Sequence, residues 1–204
     1  HERCPVNPCR SGVVMHTRSP LARSPLAPDS FPHLPAIDGL GLAVAASGSK
    51  YKGRDDLLLM TLCESATVAG VFTRSDTAAA PVQWCRDRIA AGTARAILTN
   101  AGNANAFTGQ HGKNSVAQAA TALGQVLHCA AEDILLASTG VIGEPLDTMI
   151  LSPHFSQLAA NDTASWEQAA AAIMTTDTFA KGAHAHCDID GTTVTICGIA
   201  KGSG

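Results

Sequence analysis

Apolar residues in this chain fall at two spacings, and each spacing predicts a different element. Continuous or alternating apolar runs over 40–46, 57–63 and 67–73 predict three β-strands, with a basic turn over 48–54 between the first two. Strands that follow one another so closely predict an antiparallel start. From Pro81 the spacing lengthens: Val82, Cys85, Ile89 and Ala90 make one helical stripe, with proline at the start and Gly92 at the end. A strand over 94–99 follows, then a helix capped by Asn114 with Val116, Ala119, Ala120, Leu123 and Leu127 on one face. A buried strand is predicted over 134–137. After a linker containing Pro153 comes a helix over 163–174 with Trp166, Ala169, Ala170 and Ile173 as its core face. Asp190-Gly191 then turns a hairpin between strands 187–190 and 192–196.

Residues 1 to about 35 show neither period. They are rich in proline and scattered arginine, which predicts an irregular or disordered lead, with residues 36–204 as the folded body. Met15 lies inside this lead, and the residues before it read as extra translated sequence or the trace of an incomplete record.

Composition narrows the fold class. Hydrophobic residues are 46% of the 204 but aromatics only 4%, so the core must be aliphatic and closely packed, which favours a layered α/β (α+β) body. A net charge of -3 and the lack of any dense Lys/Arg block argue against a nucleic-acid partner. No apolar run reaches membrane length, and Pro5 and Pro8 interrupt the start of the chain, so neither a membrane span nor a secretory signal is expected and a cytoplasmic location is. Seven cysteines is an odd count. Cys63, Cys85, Cys129, Cys187 and Cys197 stand apart, which suits reduced, buried thiols in a reducing compartment. Cys4 with Cys9, and His184 with His186 and Cys187, each invite a zinc reading. No second cluster at a recognisable spacing supplies the remaining ligands, and no metal is expected.

Four stretches carry candidate chemistry, and each also has a plain structural reading. Asn100-Ala101-Gly102-Asn103-Ala104-Asn105-Ala106-Phe107-Thr108-Gly109 reads as a loop whose amides bond locally to the backbone: a polar turn, or the rigid wall of a site. Ser138-Thr139-Gly140-Val141-Ile142-Gly143-Glu144-Pro145 follows a strand. It either offers backbone N–H groups beside a small hydroxyl, as oxyanion holes do, or is an ordinary helix start with Glu144 and Pro145 in the first turn. Thr175-Thr176-Asp177-Thr178 at a helix end suits a ligand carboxylate or amide, or a simple cap. Gly198-Ile199-Ala200-Lys201-Gly202-Ser203-Gly204 places one cation beside a glycine turn, suited to a carboxylate or a developing oxyanion, or to nothing more than a surface turn.

Taken in order over residues 37–204, these strings resemble the bifunctional ornithine acetyltransferase family, also called glutamate N-acetyltransferase. The marks are Thr99-Asn100-Ala101-Gly102-Asn103-Ala104-Asn105-Ala106, Ser138-Thr139-Gly140-Val141-Ile142-Gly143-Glu144, Met174-Thr175-Thr176-Asp177-Thr178 and the closing Lys201-Gly202-Ser203-Gly204. Lys52-Gly53-Arg54-Asp55-Asp56-Leu57, Val68-Ala69-Gly70-Val71-Phe72-Thr73 and Ala80-Pro81-Val82 support them. The resemblance implies a self-processing enzyme of arginine biosynthesis. Its precursor cuts itself before an internal threonine, which becomes the nucleophile that carries acetyl from N-acetylornithine to glutamate. Some relatives also take acetyl from acetyl-CoA. It gives Thr139 and Gly140 the oxyanion hole, and Thr175 and Lys201 contacts to substrate. It calls for no metal or cofactor.

The same resemblance implies an αββα-type layered body built from two segments and an α2β2 assembly. The chain matches the first (α) segment, with no counterpart of the nucleophilic threonine in this stretch. The expectation is an α segment that is inactive alone, needs the β segment, and exposes apolar surface without it. Two alternatives remain: a related N-terminal-nucleophile amidohydrolase or aminopeptidase, with water as acceptor, and an inactive truncated remnant.

Overall fold

The computed structural model describes residues 22–202; the readings made above for Cys4, Cys9 and Met15, and for Ser203 and Gly204, lie outside them. The body is built on one four-stranded sheet in the order β1-β2-β3-β4, with β1 Leu40–Ala45, β2 Leu57–Leu62, β3 Ala96–Asn103 and β4 Ile134–Val141. The first two pairings are antiparallel and the third, β3 with β4, is parallel. A parallel pair needs a crossover, and α2 Gly109–Leu127 provides it.

Alternation along β2 explains why both sheet faces are covered. Leu57 and Leu59 face a core shared with Val116, Ala119, Ala120 and Leu123 of α2 and with Phe155 and Leu158 of the short helix α4 Phe155–Ala160, which follows α3 Thr148–Leu151. Leu58 faces the other way, onto Ala169, Ala172 and Ile173 around α5 Trp166–Ala172. Alanine dominates these helix faces, which lets them lie close on leucines of the sheet with few aromatics.

The expected third strand over 67–73 does not form. β3 takes the edge of β2 that this stretch would have filled in a meander, and the stretch makes a single bridge, Thr67 to Thr93, while Val68 and Phe72 pack beside Cys85, Ala94 and Leu135. The outer edge of β4 is closed by α1 Ala80–Arg88. Trp84 Nε1 donates to the Ile134 carbonyl at 2.8 Å and Cys85 Sγ to that of Leu136 at 3.1 Å. Helix α1 starts at proline and passes through a 3₁₀ turn to a left-handed Gly92, as its sequence predicts.

Other boundaries move. Helix α2 begins at Gly109, so Asn114 lies inside it, its Oδ1 accepting from Gln110 Nε2 at 2.9 Å. No helix starts at Glu144 or Pro145. The next begins at Thr148, with the Asp147 carboxylate accepting from Met149 N, and the predicted linker around Pro153 is a run of short helical turns. Helix α5 is shorter than expected because Ser165 and Gln168 form a capping box three residues into the predicted span.

A separate antiparallel hairpin, β5 Lys181–Ile189 and β6 Thr192–Ala200, closes the described chain. Asp190 and Gly191 both adopt positive φ, the requirement of a two-residue turn that matches strand twist. Its strands run longer than predicted and most of β5 is exposed. Near its open end Cys197 reaches the Pro35 carbonyl at 3.7 Å, and Gly182 sits so close to Phe31 that a Cβ would lie 2.4 Å from the ring. Residues 22–37 have no helix or strand yet hold firmly: Leu34 is buried, and Trp166 Nε1 donates to the Pro35 carbonyl at 2.9 Å. Of the cysteines, Cys85 is buried, but Cys63 and Cys187 are exposed, because each sits at or beyond the end of a strand's covered stretch. His184 and His186 share one hairpin face, their ring centroids 5.6 Å apart.

Candidate active site at the end of the parallel strand pair

Strands β3 and β4 end together in small residues, and the asparagines between them do structural work. Asn100 Oδ1 accepts from Ser138 Oγ at 2.6 Å, and its Nδ2 donates to the Asn103 carbonyl at 2.9 Å. Asn103 Nδ2 donates to the carbonyls of Glu144 and Pro145, and its Oδ1 accepts from Asn105 N at 2.7 Å. Asn105, fully buried at positive φ, donates from Nδ2 to the Gly112 carbonyl at 3.1 Å and accepts from Thr108 Oγ1 at 2.8 Å. Asparagine tolerates the left-handed region, and its amide satisfies buried backbone groups that no ladder reaches. The stretch expected to be wholly loop is therefore strand through Asn103 and amide-tied loop beyond it.

The register slips at Asn103, which faces both Thr139 and Val141. Opposite the slip, Gly140 has φ 137, and a Cβ there would lie 2.2 Å from the Gly102 carbonyl carbon and 2.6 Å from Asn103 N. Only glycine fits, and the two chains approach closely enough to lock Thr139 beside them.

Thr139 Oγ1 accepts a hydrogen bond from Lys201 Nζ, and Lys201 Nζ also donates to Thr175 Oγ1 at 3.1 Å. Three of the residues singled out in the sequence thus meet, although they come from β4, the turn after α5 and the end of β6; Gly140 is the chain neighbour of Thr139. The fold places no helix N-terminus at Thr139-Gly140, which correct the expectation of a helix start there: β4 simply continues to Val141. Among the described residues Lys201 makes no ion pair; the three present are Lys50–Glu144, Arg95–Glu64 and Lys181–Asp177. The Thr139 and Thr175 hydroxyls accept hydrogen bonds from Lys201 without cancelling its charge.

Sequence reasoning noted Asp177 only as one member of a threonine cluster suited to a ligand or to a simple cap, with no role of its own. In the structure it is buried, and its carboxylate accepts from Thr175 N at 3.2 Å, Gly202 N at 2.5 Å and Lys181 Nζ at 2.6 Å. Burial pushes its carboxyl up, but the Lys181 hydrogen bond and the N–H groups of Gly202 and Thr175 outweigh burial and bring it from 3.8 down to about 2. Arg54 was also missed as a local support. Its Nη2 donates to the carbonyls of Ala171 and Met174 at 3.1 and 2.8 Å, tying down the turn that carries Thr175. The signal for both lay in charged residues set among glycines and threonines, Lys52-Gly53-Arg54 and Thr175-Thr176-Asp177. Among the described residues no three His, Cys, Asp or Glu side chains are grouped to hold a metal ion, and no helix is long and apolar enough to cross a membrane.

A small sheet ending in a parallel pair, with a lysine brought to its threonine from a separate hairpin, gives the class of protein: residues 41–204 match the model of the ArgJ family, and the chain belongs to that family. More particularly, it is 49% identical over 182 residues to the arginine biosynthesis bifunctional protein ArgJ of Rhizobium meliloti (strain 1021), a match covering 89% of this chain and 44% of that one. It is 50% identical over 182 residues to the protein of the same description from Brucella suis biovar 1 (strain 1330), with the same coverage. The chain thus spans less than half the length of these relatives. Among solved structures it resembles ornithine acetyltransferase complexed with ornithine from Mycobacterium tuberculosis, with TM-score 0.76 and 33% identity over 83% of this chain and 91% of that one. It also resembles the arginine biosynthesis bifunctional protein argJ of Bacillus halodurans, with TM-score 0.75 and 32% identity over 82% and 88% of the two chains. The family resemblance drawn from the motif strings is borne out.

Proposed function

We propose that this chain is the α segment of an acetyltransferase that moves acetyl from N-acetylornithine to glutamate in arginine biosynthesis. The observation that carries the reading is Lys201, a cation hydrogen-bonded to Thr139 and Thr175 and paired with no carboxylate among the described residues. Such a group suits the carboxylate of an amino acid or the oxyanion of acyl transfer. The naming of one structural relative as an ornithine acetyltransferase bound to ornithine agrees with it.

In the proposed reaction a threonine hydroxyl, carried on a complementary β segment freed by self-cleavage, attacks the acetyl carbonyl of N-acetylornithine. The carbonyl electrons move onto oxygen, where the Thr139 hydroxyl and the Gly140 backbone N–H receive them. Collapse expels the ornithine amine, which takes up the proton the threonine gave to its own terminal amine, and leaves an acetyl ester. The amine of glutamate then attacks the ester, takes the acetyl group and restores the threonine. Lys201 and Thr175 hold the substrate in both halves. No metal or redox cofactor enters this scheme; acetyl-CoA is a second donor within it, and the assembly is an α2β2 tetramer in the cytoplasm.

The test is a chimeric precursor joining residues 41–204 to the remainder of the Rhizobium meliloti relative, assayed beside the 204-residue chain alone. The chimera should convert N-acetylornithine and glutamate to ornithine and N-acetylglutamate, and the chain alone should not. Thr139→Val should lower kcat by about 100- to 1000-fold, the range for losing one oxyanion donor. Acetate release independent of glutamate would instead assign a hydrolase.

A further inference from the structure

We propose that Asp177 is a positioning residue for substrate: its buried carboxylate sets Thr175 and Lys201 in register and sequesters the charge of Lys181, leaving Lys201 a cation with no carboxylate partner among the described residues. The proposal rests on the substrate reading above and adds a residue that the reading does not use.

One carboxylate tethers both ends of the Lys201–Thr175 contact. Oδ2 accepts from the backbone N–H of Thr175, and Oδ1 from that of Gly202, the residue joined to Lys201. Neither segment holds the other through a sheet: Thr175 lies in the turn after α5, and Gly202 lies past the end of β6. Arg54 holds the turn before Thr175, but Asp177 is the group that joins Thr175 to Gly202, and the 3.1 Å bond from Lys201 Nζ to Thr175 Oγ1 depends on that join.

Charge supplies the second part. Lys181 pairs with Ala200 across the hairpin, so its backbone sits one residue from the level of Lys201 and two ammonium groups are carried at the same open end. Asp177 Oδ1 binds Lys181 Nζ at 2.6 Å, and that lysine also lies over the Phe179 ring. The field of Lys181 is thus met locally, while among the described residues Lys201 bonds to the Thr139 and Thr175 hydroxyls. Asparagine cannot replace the aspartate: it has one oxygen, and its NH₂ would face either the Gly202 or the Thr175 donor.

Amide hydrogen exchange followed by NMR tests the tether in this chain, and steady-state kinetics of the chimera test its use. In the wild type the Thr175 and Gly202 amides should be protected. Asp177→Asn should speed exchange at both by about tenfold or more while β3 and β4 keep their protection, the pattern of a local opening. Lys181→Met should leave both amides within about threefold of wild type, since it keeps the two backbone bonds. In the chimera Asp177→Asn should raise KM for N-acetylornithine by about tenfold with a smaller change in kcat, and Lys181→Met should raise KM by about threefold.

Exchange of Gly202 at the rate of an unstructured peptide in the wild type overturns the tether, as does unchanged exchange in Asp177→Asn. Uniform loss of protection across the sheet in that variant assigns Asp177 a merely structural role and also overturns the proposal. If Asp177→Asn does not fold, wild-type exchange at Gly202 and the KM of Lys181→Met decide, and an unchanged KM refutes the charge argument. A wild-type chimera that fails to turn over N-acetylornithine refutes the acetyltransferase reading, whereas the exchange data still judge the tether.

Discussion

Asp177 has a consequence for stability that is separate from any substrate. Its carboxyl titrates at about 2 in the folded chain against 3.8 ordinarily, so the folded state binds this proton more weakly than the unfolded one. The stabilisation is therefore fully present above about pH 4 and is lost as pH falls toward 2, and a shift of this size corresponds to about 2 kcal/mol. In urea titrations wild type should lead Asp177→Asn by its full margin at pH 6, and the margin should shrink between pH 4 and pH 2. A margin that stays constant over that window would show that the carboxyl is not held down in the fold. Asn105 makes the same point for a neutral group: an amide at positive φ, buried, with its donor and acceptor both used, is read from the sequence only as a loop residue.

At the scale of elements, the end of the β3–β4 pair is the most demanding feature. Gly140 faces the Gly102 carbonyl and Asn103 N at distances that no Cβ can share, at a φ that L side chains avoid. Gly140→Ala must push the strands apart at the slip, and strain with overpacking together should cost about 3 kcal/mol. Thermal unfolding gives the cost, and the nearby Thr139 hydroxyl should lose its contact with Lys201. A variant as stable as wild type would mean that the strands separate freely there. Helix α5 shows how a short signal sets a boundary. Ser165 and Gln168 satisfy each other's backbone N–H groups, which fixes the first turn more sharply than the hydrophobic period around it.

Across the whole molecule, large apolar side chains stand in solvent: Val71 at 98% exposure, Met149 at 75%, Phe107 at 71% and Ile142 at 61%, with Ile189 and Ile196 on the hairpin above one half. Single exposed apolar residues are ordinary, but Phe107 and Ile142 flank the same loops that end β3 and β4, and the hairpin is open on both faces along most of β5. The proposed α segment should therefore bind a hydrophobic dye such as ANS and self-associate with rising concentration, and the chimera should show much weaker dye fluorescence. Equal fluorescence from the two would argue that no second segment covers these surfaces.

The sequence by itself determined the elements whose signals are local: the proline-to-glycine span of α1, the apolar face of α2, the Asp190-Gly191 turn and the order of motifs that marks the family. These follow from backbone preferences and side-chain periods that act within a few residues. It misread 67–73 as a strand because the edge of β2 next in line is taken by β3, a pairing that no signal within 67–73 reveals. It named Thr139, Thr175 and Lys201 through the resemblance and did not show that they meet. Their meeting depends on the parallel pairing of β3 with β4, on the docking of the hairpin against α5, and on one buried carboxylate that binds residues far apart in the chain. Such contacts carry almost no local signature, because their energy arises only when distant segments leave water together, and that is why only the tertiary structure decided the site.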